Sequence, residues 1–106
     1  MENMEMLKSF ACFMSEEIAD TEKYAKQAIK WKDRKSDIAE GFMNLSKQEA
    51  THYQSLHDMV VKLIKYAADS DDPLSEDEMA VYEFLNDMHT DKFLKAKEYQ
   101  EMYKEM

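Results

Sequence analysis

Glu49 and His52 stand one helical turn apart, and Glu17 precedes them by 32 residues. Two carboxylates and an imidazole form a donor set for divalent cations, suited to iron or manganese, with zinc as a competitor for the same ligands. The Glu-x-x-His pair alone says little, because 13 Glu and 3 His among 106 residues give about 0.4 such pairs by chance. What distinguishes these three residues is their place in the apolar pattern. Leu7, Phe10, Met14, Glu17, Thr21, Tyr24, Ala28 and Trp31 alternate steps of three and four, and Ala11, Ile18 and Ala25 widen the stripe. Ile38, Phe42, Leu45, Glu49, His52, Leu56, Met59, Leu63 and Tyr66 do the same, widened by Ala39, Tyr53, Val60 and Ala67. Both stripes have the period of a core-facing helix, and most charged residues avoid them. Thr21 can return its hydroxyl to the Glu17 carbonyl within the helix.

The elements that must position these residues are three helices. Asp33 to Ser36 breaks the first apolar pattern and Asp69 to Pro73 breaks the second, which predicts helices over about 3–32, 36–68 and 76–104. Ser75 and Glu78 have capping-box spacing, with Leu74 and Met79 placed as a hydrophobic staple. A short connection makes the first two helices an antiparallel hairpin, and a turn centred near Arg34 sets position 17 opposite position 51. Glu17 therefore reaches the level of Glu49 and His52. A carboxylate buried in an apolar seam costs several kcal/mol unless it is paired, and no Lys or Arg occupies either seam at that level. Protonation, a cationic side chain or a metal must relieve the site, and a divalent cation is the better match.

Three ligands are too few for a closed two-metal cluster. A two-fold homodimer of the hairpin supplies four carboxylates and two imidazoles, and buries an apolar stripe that a two-helix hairpin cannot bury alone. The third helix has a broad apolar face (Val81, Phe84, Leu85, Met88, Ala96, Tyr99, Met102, Tyr103) interrupted by Lys92, with Phe93 and Leu94 pointing elsewhere. It reads as a covering or assembly helix.

Composition bounds the rest. One Gly, one Pro, 44% apolar and 35% charged residues in 106 predict a single all-α domain over 1–106 with a modest core. The net charge of -9 disfavours nucleic acid and anionic membrane surfaces and favours cations. The first ten residues lack a signal-peptide pattern and no apolar run is long enough to span a bilayer, so a cytoplasmic location is expected. Cys12 has no cysteine partner, which excludes a cysteine zinc site, and it reads as a small core residue. Glu16 and Glu22 flank the seam as solvated charges that could also guide cations inward, and His57 and His89 read as structural or surface residues. The ten Met read as adaptable core filling.

Glu17-Ile18-Ala19-Asp20-Thr21, followed by Tyr24 and paired with Glu49-Ala50-Thr51-His52, resembles the first half of a rubrerythrin-type ferritin-like domain over about residues 10–65. The half-length layout is also similar to encapsulated ferritins, whose two-helix chains assemble an iron site across a subunit interface. The resemblance implies a ferritin-like four-helix bundle completed by dimerisation, with two iron ions per dimer (manganese or zinc as alternatives). It also implies ferroxidase or peroxidase chemistry, with an external electron donor if the site is redox-active. Glu17 would be a terminal or bridging carboxylate, Glu49 the bridging carboxylate, His52 the imidazole ligand and Tyr24 a tyrosine beside the ligands. The second Glu and second Glu-x-x-His helices of that pattern are missing here, as is a cysteine-rich electron-transfer module. Two readings without iron chemistry stand beside it: a metal-free helical assembly module whose polar seam residues fix register, and a structural zinc or manganese site.

Overall fold

The computed structural model describes residues 1–106 and contains three helices and no strand. Helix α1 spans Glu2–Trp31, α2 Ser36–Ala68 and α3 Glu76–Glu105. The two breaks fall where charge, Ser and Pro interrupt the apolar period. Ser75 caps α3 as its spacing requires: its hydroxyl accepts from the Glu78 amide at 3.1 Å while the Glu78 carboxylate accepts from the Ser75 amide at 2.9 Å. At the opposite side of the same linker, Asp72 accepts from the Asn3 amide at 3.0 Å, and the Asn3 side chain donates to the Asp72 carbonyl at 2.8 Å. The linker is thereby tied to the first turn of α1, whose free amides need acceptors.

The three helices form a rod of 57 × 18 × 16 Å. Helix α1 packs against both α2 and α3. α3 runs parallel to α1, since Phe93 stacks on Tyr53 with ring centroids 4.2 Å apart and Gln100 bonds Ser46 at 2.9 Å. The main core is formed by Leu7, Phe10, Met14, Ile18, Tyr53, Val60, Leu63 and Phe93, with Ala50 at its edge. Towards the α1–α2 turn, Ala25, Ala28 and Ala39 are fully enclosed, so small side chains let the helices approach closely there.

The buried row of α2 is not the one the apolar pattern favours. Ala39, Met43, Ser46, Ala50, Tyr53, Val60, Leu63 and Ala67 are buried, whereas Ile38, Leu45, Met59 and Tyr66 are 40 to 69% exposed. Both rows repeat at nearly the same period, and α3 decides between them by packing on the flank that carries Tyr53. On α1, Met6 and Phe13 are likewise exposed, on the side away from Ala11, Ser15 and Ala19, which border α3. The hairpin therefore keeps one uncovered apolar face along its length.

Helix α3 also differs from expectation. Its core face is His89, Phe93, Ala96 and Gln100, so Phe93 points inward and Lys92 lies outside. Cys12 is exposed instead of filling the core, because it faces outward from α1 beside Glu16.

Candidate metal centre

Glu17, Glu49 and His52 converge from the two hairpin helices. His52 Nδ1 lies 3.6 Å from Glu17 Oε2 and 3.7 Å from Glu49 Oε2, and one ligand atom from each of the three residues falls within 4.8 Å of the others. Both separations are too long for hydrogen bonds. Glu17 Oε2 is buried and has no hydrogen-bond partner at all. The carboxylate side chains are 24 and 20% exposed, the imidazole 58%. Burial, with the Glu49 carboxyl beside it, pushes the Glu17 pKa up from 4.5 to about 7, against a smaller opposing effect of His52.

Local structure explains the convergence. Glu17 sits at the middle of α1, and His52 sits at the middle of α2 with Glu49 one turn before it, so an antiparallel hairpin brings them level. A buried chain of polar contacts fixes this level one turn away. The Thr21 hydroxyl donates to the Glu17 carbonyl at 2.7 Å, Ser46 donates to the Thr21 carbonyl at 2.6 Å, and Gln100 of α3 donates to the Ser46 hydroxyl at 2.9 Å. Thr21 was expected to bond back in this way. Ser46 and Gln100 were not singled out by the sequence; a serine in an otherwise apolar buried row was their available signal.

No lysine or arginine forms an ion pair with Glu17 or Glu49. Lys23 is engaged by Asp20 at 3.2 Å and Lys26 by Glu22 at 3.3 Å, so the flanking acids Asp20 and Glu22 hold lysines. Tyr24 stacks on Phe42 with centroids 6.3 Å apart and carries Lys23 4.8 Å above its ring; it makes no hydrogen bond to Glu17, Glu49 or His52. His57 packs near Tyr53, 6.4 Å between centroids, and His89 is buried on α3. Neither joins the cluster.

The residues fit a divalent cation. An ion about 2.1 Å from each donor needs the donors no more than about 4.2 Å apart, so the cluster has to contract by well under about 1 Å. An orphaned, buried carboxylate oxygen is the group such an ion would satisfy. One set of two carboxylates and one imidazole leaves the coordination of any ion incomplete, and it leaves it open on the uncovered face of the hairpin.

No helix is long and apolar enough to cross a membrane. No protein-family model, curated protein or solved structure matches the chain.

Proposed function

We propose that the chain is a ferritin-like, non-haem iron protein that oxidises Fe(II) with dioxygen or peroxide at a subunit interface. Two copies would bring together two sets of Glu17, Glu49 and His52, giving four carboxylates and two imidazoles for two metal ions. The observation that carries this reading is the buried, partnerless Glu17 Oε2 facing Glu49 and His52 at the centre of an uncovered apolar face. Mutual repulsion and burial make the pair costly as two free carboxylates, and a shared cation relieves both penalties together.

Each residue has a distinct part in that arrangement. Glu49, the less exposed carboxylate, would take the bridging role that the resemblance implies. The backbone of Glu17 is held by the helix turn that Thr21 and Ser46 fix, while its carboxylate stays free to turn toward a metal. His52 is the most exposed of the three and would offer its imidazole from the uncovered face, where the second copy would meet it. Iron, once bound, supplies one-electron reduction of the oxidant, with Fe(II) itself or an external donor as the electron source. Leu45 and Leu56 lie one helical turn before Glu49 and one turn after His52 on α2, so the pair is flanked along the helix by apolar residues, which would strengthen metal–carboxylate interactions.

The test is anaerobic loading with Fe(II), elemental analysis, and exposure to air. Two irons per pair of chains and a near-ultraviolet ferric absorbance are expected, with both lost in Glu49→Ala and in His52→Ala. Retention of iron and absorbance in both variants would remove the assignment.

A further inference from the structure

Helix α1 packs along both of its neighbours, whereas α2 and α3 reach one another through long side chains, Tyr53 on Phe93 and Gln100 on Ser46. A groove is left between the α2 and α3 backbones. It holds two adjoining cavities of about 520 and 240 Å³, and Lys47 of α2 and Lys97 of α3 line both of them. Lys32, just past the end of α1, and Lys104, in the last turn of α3, line the larger one, and Glu101 is the one carboxylate in either wall. The chain as a whole has 23 acidic and 14 basic residues, so a cleft with four lysines and one carboxylate reverses the sign of the molecule.

Two of these lysines have a local role. Lys32 donates to the Tyr103 carbonyl and lies 4.2 Å from the centroid of the Tyr103 ring, and Lys104 stands where a cation complements the helix dipole. Lys47 and Lys97 have no such role. Both lie well inside their helices, away from free carbonyls, and neither has a carboxylate within ion-pair distance, whereas Lys23 and Lys26 each have one. Like charges in the walls of one cleft focus their potential into it and concentrate anions there.

The donor set narrows the anion. Lysine ammoniums supply charge without the planar fork by which arginine grips a carboxylate, and walls made of helix interiors offer no free backbone amide to add direction. Such a set selects for charge density. Length is limited as well, because the cavities run from Met43 to Gln54 along α2 and from Phe93 to Lys104 along α3, about 17 Å at about 1.5 Å per residue. Beyond them, residues 55–91 carry 10 carboxylates and 2 lysines, which repel a long polyanion such as a nucleic acid. The groove therefore suits a short ligand of high charge.

We propose that the groove between α2 and α3 is a binding site for a short chain of linked phosphates, held by Lys47 and Lys97 from opposite walls, with Lys32 and Lys104 at its turn end. None of the lining residues belongs to the Glu17, Glu49 and His52 cluster, so the site stands without the iron reading. Inorganic triphosphate and nucleoside triphosphates both offer this chemistry.

Titration calorimetry with inorganic triphosphate tests it, on metal-free chain desalted from chelator and held at about 0.05 M salt, where ionic contacts are least screened. One site per chain is expected. Lys47→Gln combined with Lys97→Gln should weaken binding about ten-fold or more. Lys92→Gln combined with Lys95→Gln makes the same change in net charge at a different groove, between α1 and α3, and should leave affinity within about two-fold. Circular dichroism checks that both double variants stay helical. Equal losses in the two would overturn the site, since binding would then follow net charge alone. Absence of binding to the unmodified chain, or monophosphate binding as tightly as triphosphate, would overturn it too. Adenosine triphosphate separates the two sources: affinity no higher than that of inorganic triphosphate supports a site for the phosphate chain itself. Tighter binding that is lost in the Lys47/Lys97 variant supports a nucleotide site.

Discussion

His89 occupies the core face of α3 at 4% exposure, against a void of about 10 Å³ lined by Leu7, Ala11, Met14 and Val60 from the other two helices. Asn86, one turn earlier on the same helix, leaves its Oδ1 buried without a partner. None of the facing side chains of α1 and α2 is charged, and burial, with the Lys92 ammonium nearby, holds the His89 pKa below 6.5. An imidazole buried neutral binds its proton more readily in the unfolded chain, so its contribution to stability is lost as pH falls through 6.5. One proton limits that slope to about 1.4 kcal/mol per pH unit. Glu17 acts in the opposite sense in metal-free protein: its raised value makes protonation favour the folded state between pH 7 and 4.5. Urea midpoints in chelator from pH 7.5 to 5 should therefore fall more steeply for the unmodified chain than for His89→Leu. Parallel curves would show that His89 does not carry this term.

At the scale of the element, the three helices were legible because their interruptions are chemically abrupt: Asp33 to Ser36, Asp69 to Pro73, and the Ser75/Glu78 cap. The cluster was legible for a related reason, since Glu17, Glu49 and His52 are charged or polar residues inside an apolar period. Which row of α2 faces inward was not legible, because Ala39, Met43, Ala50, Tyr53 and Val60 compete with Ile38, Leu45, Met59 and Tyr66 at nearly the same spacing. Packing against α3 settles the choice, and the inner face of α3 is itself masked by two polar members, His89 and Gln100. Ser46 illustrates what periodicity cannot reveal. Its hydroxyl donates to Thr21 and accepts from Gln100, so Ser46→Ala strands a buried amide donor. The expected loss is about 1–3 kcal/mol, read as a lower urea midpoint with an unchanged helical signal. Gln100→Leu, which removes the polar partner along with the bond, should cost less.

For the whole molecule, charge is uneven along a 57 Å rod: residues 1–16 and 53–91 carry 13 carboxylates and 3 lysines, and residues 18–48 and 92–106 carry 11 basic side chains and 8 carboxylates, so the proposed self-association should depend on ionic strength. Acidic halves next to basic halves attract over a screening distance of about 10 Å at 0.1 M salt and about 3 Å at 1 M. Raising sodium chloride from 0.05 to 0.5 M, roughly halving that distance or more, should weaken the metal-free dimer several-fold by analytical ultracentrifugation. A dimer that set the two acidic halves side by side would respond in the other direction, since salt would relieve their repulsion. Added Fe(II) should reduce the salt dependence, because metal bonds then contribute to holding the copies together.

The Thr21–Ser46–Gln100 chain also sets an order of events in time. Gln100 finds its acceptor oriented only after α1 and α2 have closed, because the Ser46 hydroxyl is aimed by the Thr21 carbonyl. Hairpin contacts are close in sequence, whereas α3 reaches Ser46 across 54 residues, and long closures are slower to form. α3 is therefore expected to dock late, onto a hairpin that already holds Glu17 level with Glu49 and His52. In stopped-flow experiments Gln100→Leu should leave the folding rate nearly unchanged and speed unfolding, the signature of a contact made after the main barrier.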